Sequence, residues 1–269
     1  MGWLQRLRTA LNEPSALGER NAIGSETAER TTGRPTSSNG ASSMHLNWEA
    51  LPAGVLAVSV DLTIITPPTT TDLYFWALQA SFCSGSTSHG GAHLGLQHIS
   101  GYPNHCAVNW GGYKNGGGEL PGTNSALPSS RNNVNTRDYH WEAGRTYRLE
   151  IARAGDGGWR GSVIDLAADE RTAVRDLACP GSELAHVVMW SEVFAPCDAP
   201  SVTVRWSNPT ARIGAVDGEQ WSPREMRISY QAVDNGGCSN TASTRDPDGS
   251  GALLQITNTA RPNQHGATI

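Results

Sequence analysis

One predicted strand carries an imidazole, an indole and a carboxylate on the same face. When residues 184–194 are read with a period of two, His186, Trp190 and Glu192 share one face, and Val187 and Met189 belong to the other. Successive side chains of a strand point to opposite sides of the sheet. One side of this strand therefore suits a hydrophobic core, and the other suits contact with something other than plain water.

Other predicted strands show the same division, with apolar residues on one face and His, Gln, Asn or Arg on the other. Such polar side chains each hold several hydrogen bonds in fixed geometry, and a flat indole can stack on the apolar face of a sugar ring. We therefore predict a non-catalytic protein that binds a carbohydrate or similar polar ligand. The residues predicted to line its binding face are His93, Gln97, Asn109, Trp190, Glu192 and Arg205. An equally weighted alternative is that they lie on separate solvated surfaces, because alternation does not show which strands share a sheet.

A catalytic interpretation stays open beside the binding one. Glycoside hydrolysis requires two carboxyl groups that flank the scissile bond, and the mid-strand glutamates with suitable alternation are Glu192 and Glu150. A glycoside hydrolase or polysaccharide lyase acting through Glu192 is thus the second hypothesis. Against it, a lone glutamate on a strand more often pairs with an arginine such as Arg205. A structural or protein-interaction module, tethered through the N-terminal arm, is the third hypothesis.

The sequence predicts neither a metal site nor a cofactor site. The cluster of His89, His93, His98 and His105 with two cysteines could ligate zinc, but alternation places His93 and His98 on opposite faces. The segment 246–250 begins like a calcium loop and has no acidic residue at its end, so a turn is favoured. The phosphate-binding and serine-hydrolase motifs are also absent.

The elements that must position these side chains are short strands. From residue 43 onward, about a dozen apolar-alternating runs are separated by Gly, Pro, Asn and Asp, as at Asn115-Gly116 and Asp156-Gly157. This pattern is typical of an all-β protein, and so many hairpins need two packed sheets to bury their apolar faces. We predict a two-sheet antiparallel jelly-roll sandwich over residues 43–269, with an irregular loop at about 111–136 on the rim of the ligand face.

Residues 1–42 are predicted to be an N-terminal arm, partly helical and partly disordered. Trp3, Leu4, Leu7 and Leu11 share one helical face, which predicts a short amphipathic helix over residues 2–11 that frays or packs on its own domain, or else binds a protein partner or a membrane surface. The polar composition of 12–42 indicates a disordered linker. No apolar stretch approaches the ~20 residues of a spanning helix, and no secretory signal is recognised, so a cytoplasmic location is expected by default. Export from an unrecorded upstream start is the alternative.

Composition limits the partners further. The net charge of −5 disfavours nucleic acid as a ligand. Of five cysteines, Cys197 and Cys238 lie in loop-like contexts, and a disulfide between them is one alternative to free buried thiols. Oligomeric state and the identity of a ligand are not specified by these features.

Three segments of the chain carry a resemblance to a known group of proteins. They are Leu94-Gly95-Leu96-Gln97, Ala107-Val108-Asn109-Trp110 and Trp190-Ser191-Glu192-Val193-Phe194. Within the strand pattern of residues 43–258, they resemble the concanavalin-A-like lectin and glucanase sandwiches, most of all uncharacterised bacterial members. The resemblance implies a jelly roll with a concave sheet able to bind glycans, although the catalytic carboxylate pattern of the hydrolytic members has no counterpart in this chain.

Overall fold

The computed structural model describes residues 30–269, and these residues are almost entirely antiparallel β-structure. Two 3-10 turns, Pro103–His105 and Val233–Asn235, accompany the strands. The fifteen described strands are Ser42–Trp48 (β1), Val55–Thr66 (β2), Tyr74–Ser84 (β3), Thr87–His98 (β4), Cys106–Lys114 (β5), Thr136–Asp138 (β6), Thr146–Arg153 (β7), Trp159–Asp165 (β8), Glu170–Leu177 (β9), Glu183–Val193 (β10), Thr203–Ile213 (β11), Glu219–Trp221 (β12), Met226–Tyr230 (β13), Thr241–Arg245 (β14) and Leu253–Thr257 (β15).

The strands form two layers, which we call sheet I and sheet II. Sheet I has the order β13-β1-β10-β3-β4-β5-β6. Sheet II has the order β14-β15-β11-β2-β7-β8-β9, with β12 paired to β11. All of these pairs are antiparallel, and a single pair between Leu184 and Val55 joins the two sheets. The predicted fold class, a two-sheet antiparallel sandwich, is therefore confirmed.

Alternation along the strands places one face of each sheet in the core. Trp76 and Trp110 from sheet I and Tyr147, Trp159 and Trp206 from sheet II are all at most 1% exposed. A flat hydrophobic layer this rich in indole rings packs two sheets face to face. The other face of each sheet points away from this core, so its side chains are the ones free to serve a function.

Tight turns join neighbouring strands and set their register. Between β7 and β8, Gly157 has a φ of +85°, in the left-handed region that glycine enters without a steric penalty. The Asp156 side chain accepts a hydrogen bond from the backbone amide of Gly158 at 3.0 Å. The Asp156-Gly157 pair is thus a hairpin turn, as the sequence predicts.

Residues 31–41 lie against the sandwich. The Thr31 backbone amide donates to Ser239 Oγ at 3.0 Å, and that of Gly33 donates to Asp198 Oδ1 at 2.9 Å. The boundary between arm and domain at residues 42 and 43 stays a prediction. The amphipathic helix expected over 2–11 lies outside the described residues. None of the described helical segments is long and apolar enough to cross a membrane.

A disulfide joins Cys197 to Cys238, as one of the sequence alternatives had it. It links the segment after β10 to the segment before β14, next to residues 31–33. The remaining cysteines are free and buried, and they are Cys83, Cys106 and Cys179.

Candidate functional site

The outer face of sheet I brings together side chains from strands that are far apart in sequence. Cross-strand register places Glu192 of β10 opposite Phe75 of β3, and Phe75 opposite Gln97 of β4. Neighbouring strands lie about 4.8 Å apart. Glu192 and Gln97 therefore occupy one row across the sheet, with the Phe75 ring between them.

A second row runs parallel to the first. Trp190 of β10 is opposite Ala77, Ala77 is opposite Gly95, and Gly95 is opposite Asn109 of β5. The small side chains at 77 and 95 leave room above the middle of this row. A Cβ on Gly95 would lie 2.0 Å from the carbonyl oxygen of Trp76, so the close approach of β3 and β4 requires glycine there.

A third row brings His93 beside an aromatic cluster. The rings of Phe75 and Trp190 are 4.8 Å apart, and the ring of His93 lies 5.4 Å from Phe75 and 5.7 Å from Trp190, all in edge-to-face geometry. The Trp190 indole donates a hydrogen bond to Gln79 Oε1 at 3.1 Å. These contacts fix the indole and imidazole in place beside the row that holds Glu192.

Glu192 is a carboxyl group on this face, and it is only 4% exposed. Burial raises its pKa from 4.5 to about 7, and a hydrogen bond from Asn39 opposes that rise. Asn39 Nδ2 donates to Glu192 Oε1 at 2.7 Å. A carboxyl group whose pKa is raised toward neutrality can both take up and release a proton near neutral pH.

Two histidines on the same face stay neutral. Burial lowers the pKa of His93 from 6.5 to about 4, with a smaller opposing effect of a hydrogen bond to Asn109. Burial also lowers the pKa of His45 on β1 to about 4, helped by repulsion from His265. At neutral pH these two imidazoles therefore carry no positive charge that could lower the pKa of Glu192. Burial is the largest influence on that pKa.

The amide of Gln97 is buried and has no hydrogen-bond partner within the described residues, at either Oε1 or Nε2. Leaving a buried amide unpaired costs about 1–3 kcal/mol, and such a group calls for an explanation such as a catalytic role or an unseen partner. By contrast, Asn109 Nδ2 donates to Thr136 Oγ1 at 2.7 Å. Gln97 is therefore the free donor and acceptor of the face.

Arg205 and Glu150 do not lie on this face, contrary to prediction. Arg205 of β11 and Glu150 of β7 both point outward from sheet II, on the opposite side of the molecule. Arg205 binds Asp246 at 2.8 Å and Asp248 at 2.9 Å, and Glu150 pairs with Arg171. Residues on two strands can both point away from the core and still belong to different sheets. Alternation alone therefore could not show that Arg205 and Glu150 lie on sheet II.

The segment 246–250 is a turn held by that arginine. The Ser250 amide donates to Asp248 Oδ1 at 2.8 Å, and the Asp248 amide donates to Asp246 Oδ1 at 3.1 Å. Across residues 30–269, no group of three or more His, Cys, Asp or Glu side chains is placed to hold a metal ion.

The face is closed in this structure rather than open to a ligand. The five predicted residues on it have small exposed fractions: Gln97 0%, Asn109 3%, Glu192 4%, Trp190 5% and His93 6%. A sugar-binding platform must present its stacking ring and hydrogen-bonding groups to solvent. The loop predicted at 111–136 does not run as one rim: residues 111–114 belong to β5, and the amide of Thr123 donates to the carbonyl of Asp176 in sheet II at 2.8 Å. Its last residue, Thr136, begins β6 and accepts the hydrogen bond from Asn109 on the outer face of sheet I.

Sequence reasoning missed four residues of the face. Asn39 lies in a segment predicted to be a disordered linker, and Thr136 lies at the end of a predicted loop. Phe75 and Gln79 are on the polar face of a recognised strand, and alternation alone could have added them. Asn39 carries no sequence signal, because its role depends on a contact across 153 residues.

A separate polar groove lies on the outer face of sheet II. It has a volume of about 540 Å³ and includes Arg148, Asn208 and Arg212 in its lining. Arg148 is held by Asp61, a carboxylate only 2% exposed, through bonds of 2.7 and 3.0 Å.

Comparisons with known proteins identify no family for the chain. No protein-family model matches the sequence, and no curated protein matches it significantly. Among solved structures, scytalido-glutamic peptidase with a peptide-based transition-state analogue has a TM-score of 0.45 and 10% identity, covering 84% of this chain and 98% of that one. The eqolisin-family peptidase SCP-B with a bound tripeptide gives the same values. A further scytalido-glutamic peptidase structure has a TM-score of 0.42 and 10% identity, covering 86% and 99%. At this similarity we transfer no residue role from them.

The prediction of a non-catalytic carbohydrate-binding protein is corrected. Five of the residues predicted to bind a sugar are buried, and Arg205 lies on the other sheet. The buried ones are His93, Gln97, Asn109, Trp190 and Glu192.

Proposed function

We propose that this protein hydrolyses amides or esters. Glu192 takes a proton from the attacking water and passes it to the leaving group, and Gln97 binds the carbonyl oxygen of the substrate. The observation that carries the proposal is the pairing, in one row of sheet I, of a carboxyl group whose pKa is raised to about 7 with a buried amide that has no hydrogen-bond partner among residues 30–269. Perturbed acids of this kind cluster at active sites.

Glu192 can act first as a base and then as an acid. In its ionised form it takes a proton from a water molecule whose oxygen attacks the carbonyl carbon. The resulting carboxylic acid then returns the proton to the leaving nitrogen or oxygen, so that one water is consumed and Glu192 is regenerated. A pKa near the working pH suits both steps.

Gln97 supplies the donor that such a reaction needs. As the carbonyl becomes tetrahedral, negative charge develops on its oxygen, and the Gln97 Nε2 group can donate to it without first breaking another bond. A donor that is already positioned in a buried site lowers the barrier more than one that must reorient.

A two-carboxyl glycosidase mechanism does not fit this face. Glu150 is on the other sheet, and Asp138 of β6, on the same face of sheet I, is four strands from Glu192. That is roughly 19 Å at the usual strand spacing, whereas inverting and retaining glycosidases place their carboxyl groups about 5–9.5 Å apart. Asp138 also accepts hydrogen bonds from Ser130.

The decisive experiment measures cleavage of a peptide mixture and of a nitrophenyl ester between pH 5 and 8, with oxygen-18 water to mark new carboxyl groups. We expect Glu192→Gln to reduce the rate by about 10²–10⁴-fold and Gln97→Leu by about 10²–10³-fold. Glu150→Gln is the matched control, since it changes a glutamate on the opposite side of the molecule, and it should leave the rate unchanged.

The assay is made on the full chain. Absence of cleavage, or cleavage that survives Glu192→Gln, would overturn the proposal.

Three further expectations stay proposals. The two-sheet sandwich supports the resemblance to the concanavalin-A-like group, and no family model matches the sequence. A protein partner for the N-terminal arm is still a hypothesis, because residues 1–29 are outside the described residues. The disulfide between Cys197 and Cys238 favours an oxidising compartment, and so supports export rather than a cytoplasmic location.

A further inference from the structure

We propose that the outer face of sheet II binds a short acidic peptide segment in a groove lined by arginines. The groove lies on the opposite side of the sandwich from Glu192 and Gln97, so the inference does not depend on the hydrolase proposal. It rests on the small side chains of the groove floor, on the positive charge of the walls and on the chemistry of the guanidinium groups that remain available to a ligand.

The groove continues beyond the cavity of about 540 Å³ described above. A second cavity of about 360 Å³ lies beside it, and the two share Ala57, Glu150 and Val216 in their lining. Together they cross sheet II from β11 over β2 and β7 to β8 and β9. The three strand spacings from β11 to β8 amount to about 14 Å, which is the length of about four residues of an extended peptide.

Small side chains form much of the floor of this groove. One row across sheet II holds, in order, Arg212, Ala57, Ala152 and Arg160. The next row holds Thr210, Ser59, Glu150, Ser162 and Ala173. Because the two alanines of the first row end at Cβ, the long arginine side chains on either side stand above a depression that an extended chain can enter.

Two guanidinium groups of the groove remain available to a carboxylate. Arg212 donates from Nη1 to the carbonyl of Gly218 at 3.3 Å, and it forms no ion pair within residues 30–269. Asp61 occupies Nε and Nη2 of Arg148, so the Nη1 group of Arg148 is left for a ligand. The planar guanidinium matches the geometry of a carboxylate better than an ammonium group does.

Positive charge exceeds negative charge along the groove. Its lining includes five arginines, which are Arg148, Arg153, Arg160, Arg171 and Arg212, and two acidic residues, which are Glu150 and Asp217. Asp61 and Asp176 neutralise one arginine each, and an excess of positive charge remains when they are counted. On a chain with a net charge of −5, such a groove attracts an acidic ligand to this face.

The lining favours a peptide over two other classes of anion. Among the described residues that line the two cavities, none is aromatic. Proteins that bind single-stranded nucleic acid stack the bases on aromatic side chains, and an aromatic ring also serves the apolar face of a sugar. An acidic peptide needs only carboxylates for the arginines, and Val216 at the rim, 48% exposed, gives an apolar contact to a neighbouring side chain.

The test is an NMR titration of the isotope-labelled full chain with acetylated pentaglutamate amide. The matched neutral probe is pentaglutamine. We expect pentaglutamate alone to shift the backbone amide signals of residues 57–59, 150–152 and 210–216. The affinity should fall as the salt concentration rises from about 20 to about 300 mM, because salt screens exposed charges.

Three variants separate groove binding from general attraction to positive charge. Arg212→Gln should raise the Kd for pentaglutamate by about fivefold, the scale of one exposed ion pair. Ala152→Gln adds bulk to the floor without changing charge and should weaken binding at least as much. Arg227→Gln removes an exposed arginine from sheet I and should leave the Kd unchanged.

An unchanged Kd in both groove variants, or an equal loss in Arg227→Gln, would overturn the proposal. Signal shifts that map to sheet I would also overturn it. Tighter binding of a thymidine pentanucleotide than of pentaglutamate would remove the peptide as the ligand.

The cleavage assay separates this proposal from the hydrolase proposal. Arg212→Gln should leave cleavage that depends on Glu192 unchanged, because the two residues lie on different sheets. Pentaglutamate binding in the groove without any cleavage would keep the peptide site and remove the hydrolase function. Cleavage that depends on Glu192, without pentaglutamate binding, would do the reverse.

Discussion

Asn39 holds the carboxyl group of Glu192 from outside the sheet, through a bond of 2.7 Å that spans 153 residues of sequence. The amide is itself fixed, because Asn39 Oδ1 accepts hydrogen bonds from Ser37 Oγ at 2.8 Å and from the Ala41 amide at 3.1 Å. A short turn before β1 thus stabilises the ionised form of a buried acid. Without it, burial alone would set the protonation of Glu192.

Replacing Asn39 by alanine should raise the pKa of Glu192 above its value of about 7, because the lost hydrogen bond favours the ionised carboxylate. Carbon-13 NMR of the Glu192 carboxyl over pH 5–10 measures this directly. Asn47→Ala removes an asparagine from the same strand region without touching Glu192 and should leave the value near 7. An unchanged pKa in Asn39→Ala would show that the bond does not matter in solution.

Glu192 should make the protein less stable as the pH rises. Its folded pKa of about 7 exceeds the unfolded value of 4.5, so its favourable contribution is complete below pH 4.5 and is lost as the pH rises through 7. The difference corresponds to about 3 kcal/mol. Urea unfolding at pH 4.5 and 8 should therefore show a smaller loss for Glu192→Gln than for the wild type. Glu150→Gln should behave like the wild type, and equal losses in all three proteins would contradict the burial of Glu192.

His93 should have the opposite effect. Its folded pKa of about 4 is below the ordinary 6.5, so its contribution is present above pH 6.5 and is lost as the pH falls through 4. His93→Gln should remove about 3 kcal/mol of this acid sensitivity, as measured by urea unfolding between pH 7.5 and 3.5. His140→Gln changes an exposed imidazole and serves as the control. Identical acid sensitivity in the His93 variant would mean that the ring is hydrated.

The architecture could be predicted because it depends on local patterns. Alternation with period two identified the core face of most strands, and pairs such as Asp156-Gly157 marked the turns. The sequence pattern did not predict β6, β12 or β14. Two of them, Thr136–Asp138 and Glu219–Trp221, contain too few residues to show a period.

The site could be predicted only in part, because it depends on which strands become neighbours. His93, Gln97 and Asn109 lie close in sequence and share a face, and the strand of Glu192 reaches them through β3. Arg205 is also a polar residue that points away from the core, but its strand belongs to sheet II. Sheet membership is set by long-range packing, which a single strand does not encode.

The contact between Gly161 and Trp110 tests how tightly the two sheets pack. A Cβ on Gly161 would lie 2.7 Å from the Trp110 ring, which is fully buried. Gly161→Ala should therefore cost about 1–3 kcal/mol through overpacking, measured by thermal or urea unfolding. Gly155→Ala adds the same methyl group where no atom lies within 4 Å and should have little effect. A neutral Gly161→Ala would show that the sheets can separate locally.

The disulfide between Cys197 and Cys238 should contribute about 4 kcal/mol, because it closes a loop of 41 residues in the unfolded chain. Cys197→Ala/Cys238→Ala should lower the urea midpoint accordingly, and dithiothreitol should lower that of the wild type by a similar amount while leaving the variant unchanged. The bridge also positions the N-terminal segment, since the Cys197 amide donates to the Gly33 carbonyl at 2.7 Å. A stable variant with an unchanged midpoint would indicate that hydrogen bonds such as that from Asn240 Nδ2 to the Cys197 carbonyl hold this corner without the covalent link.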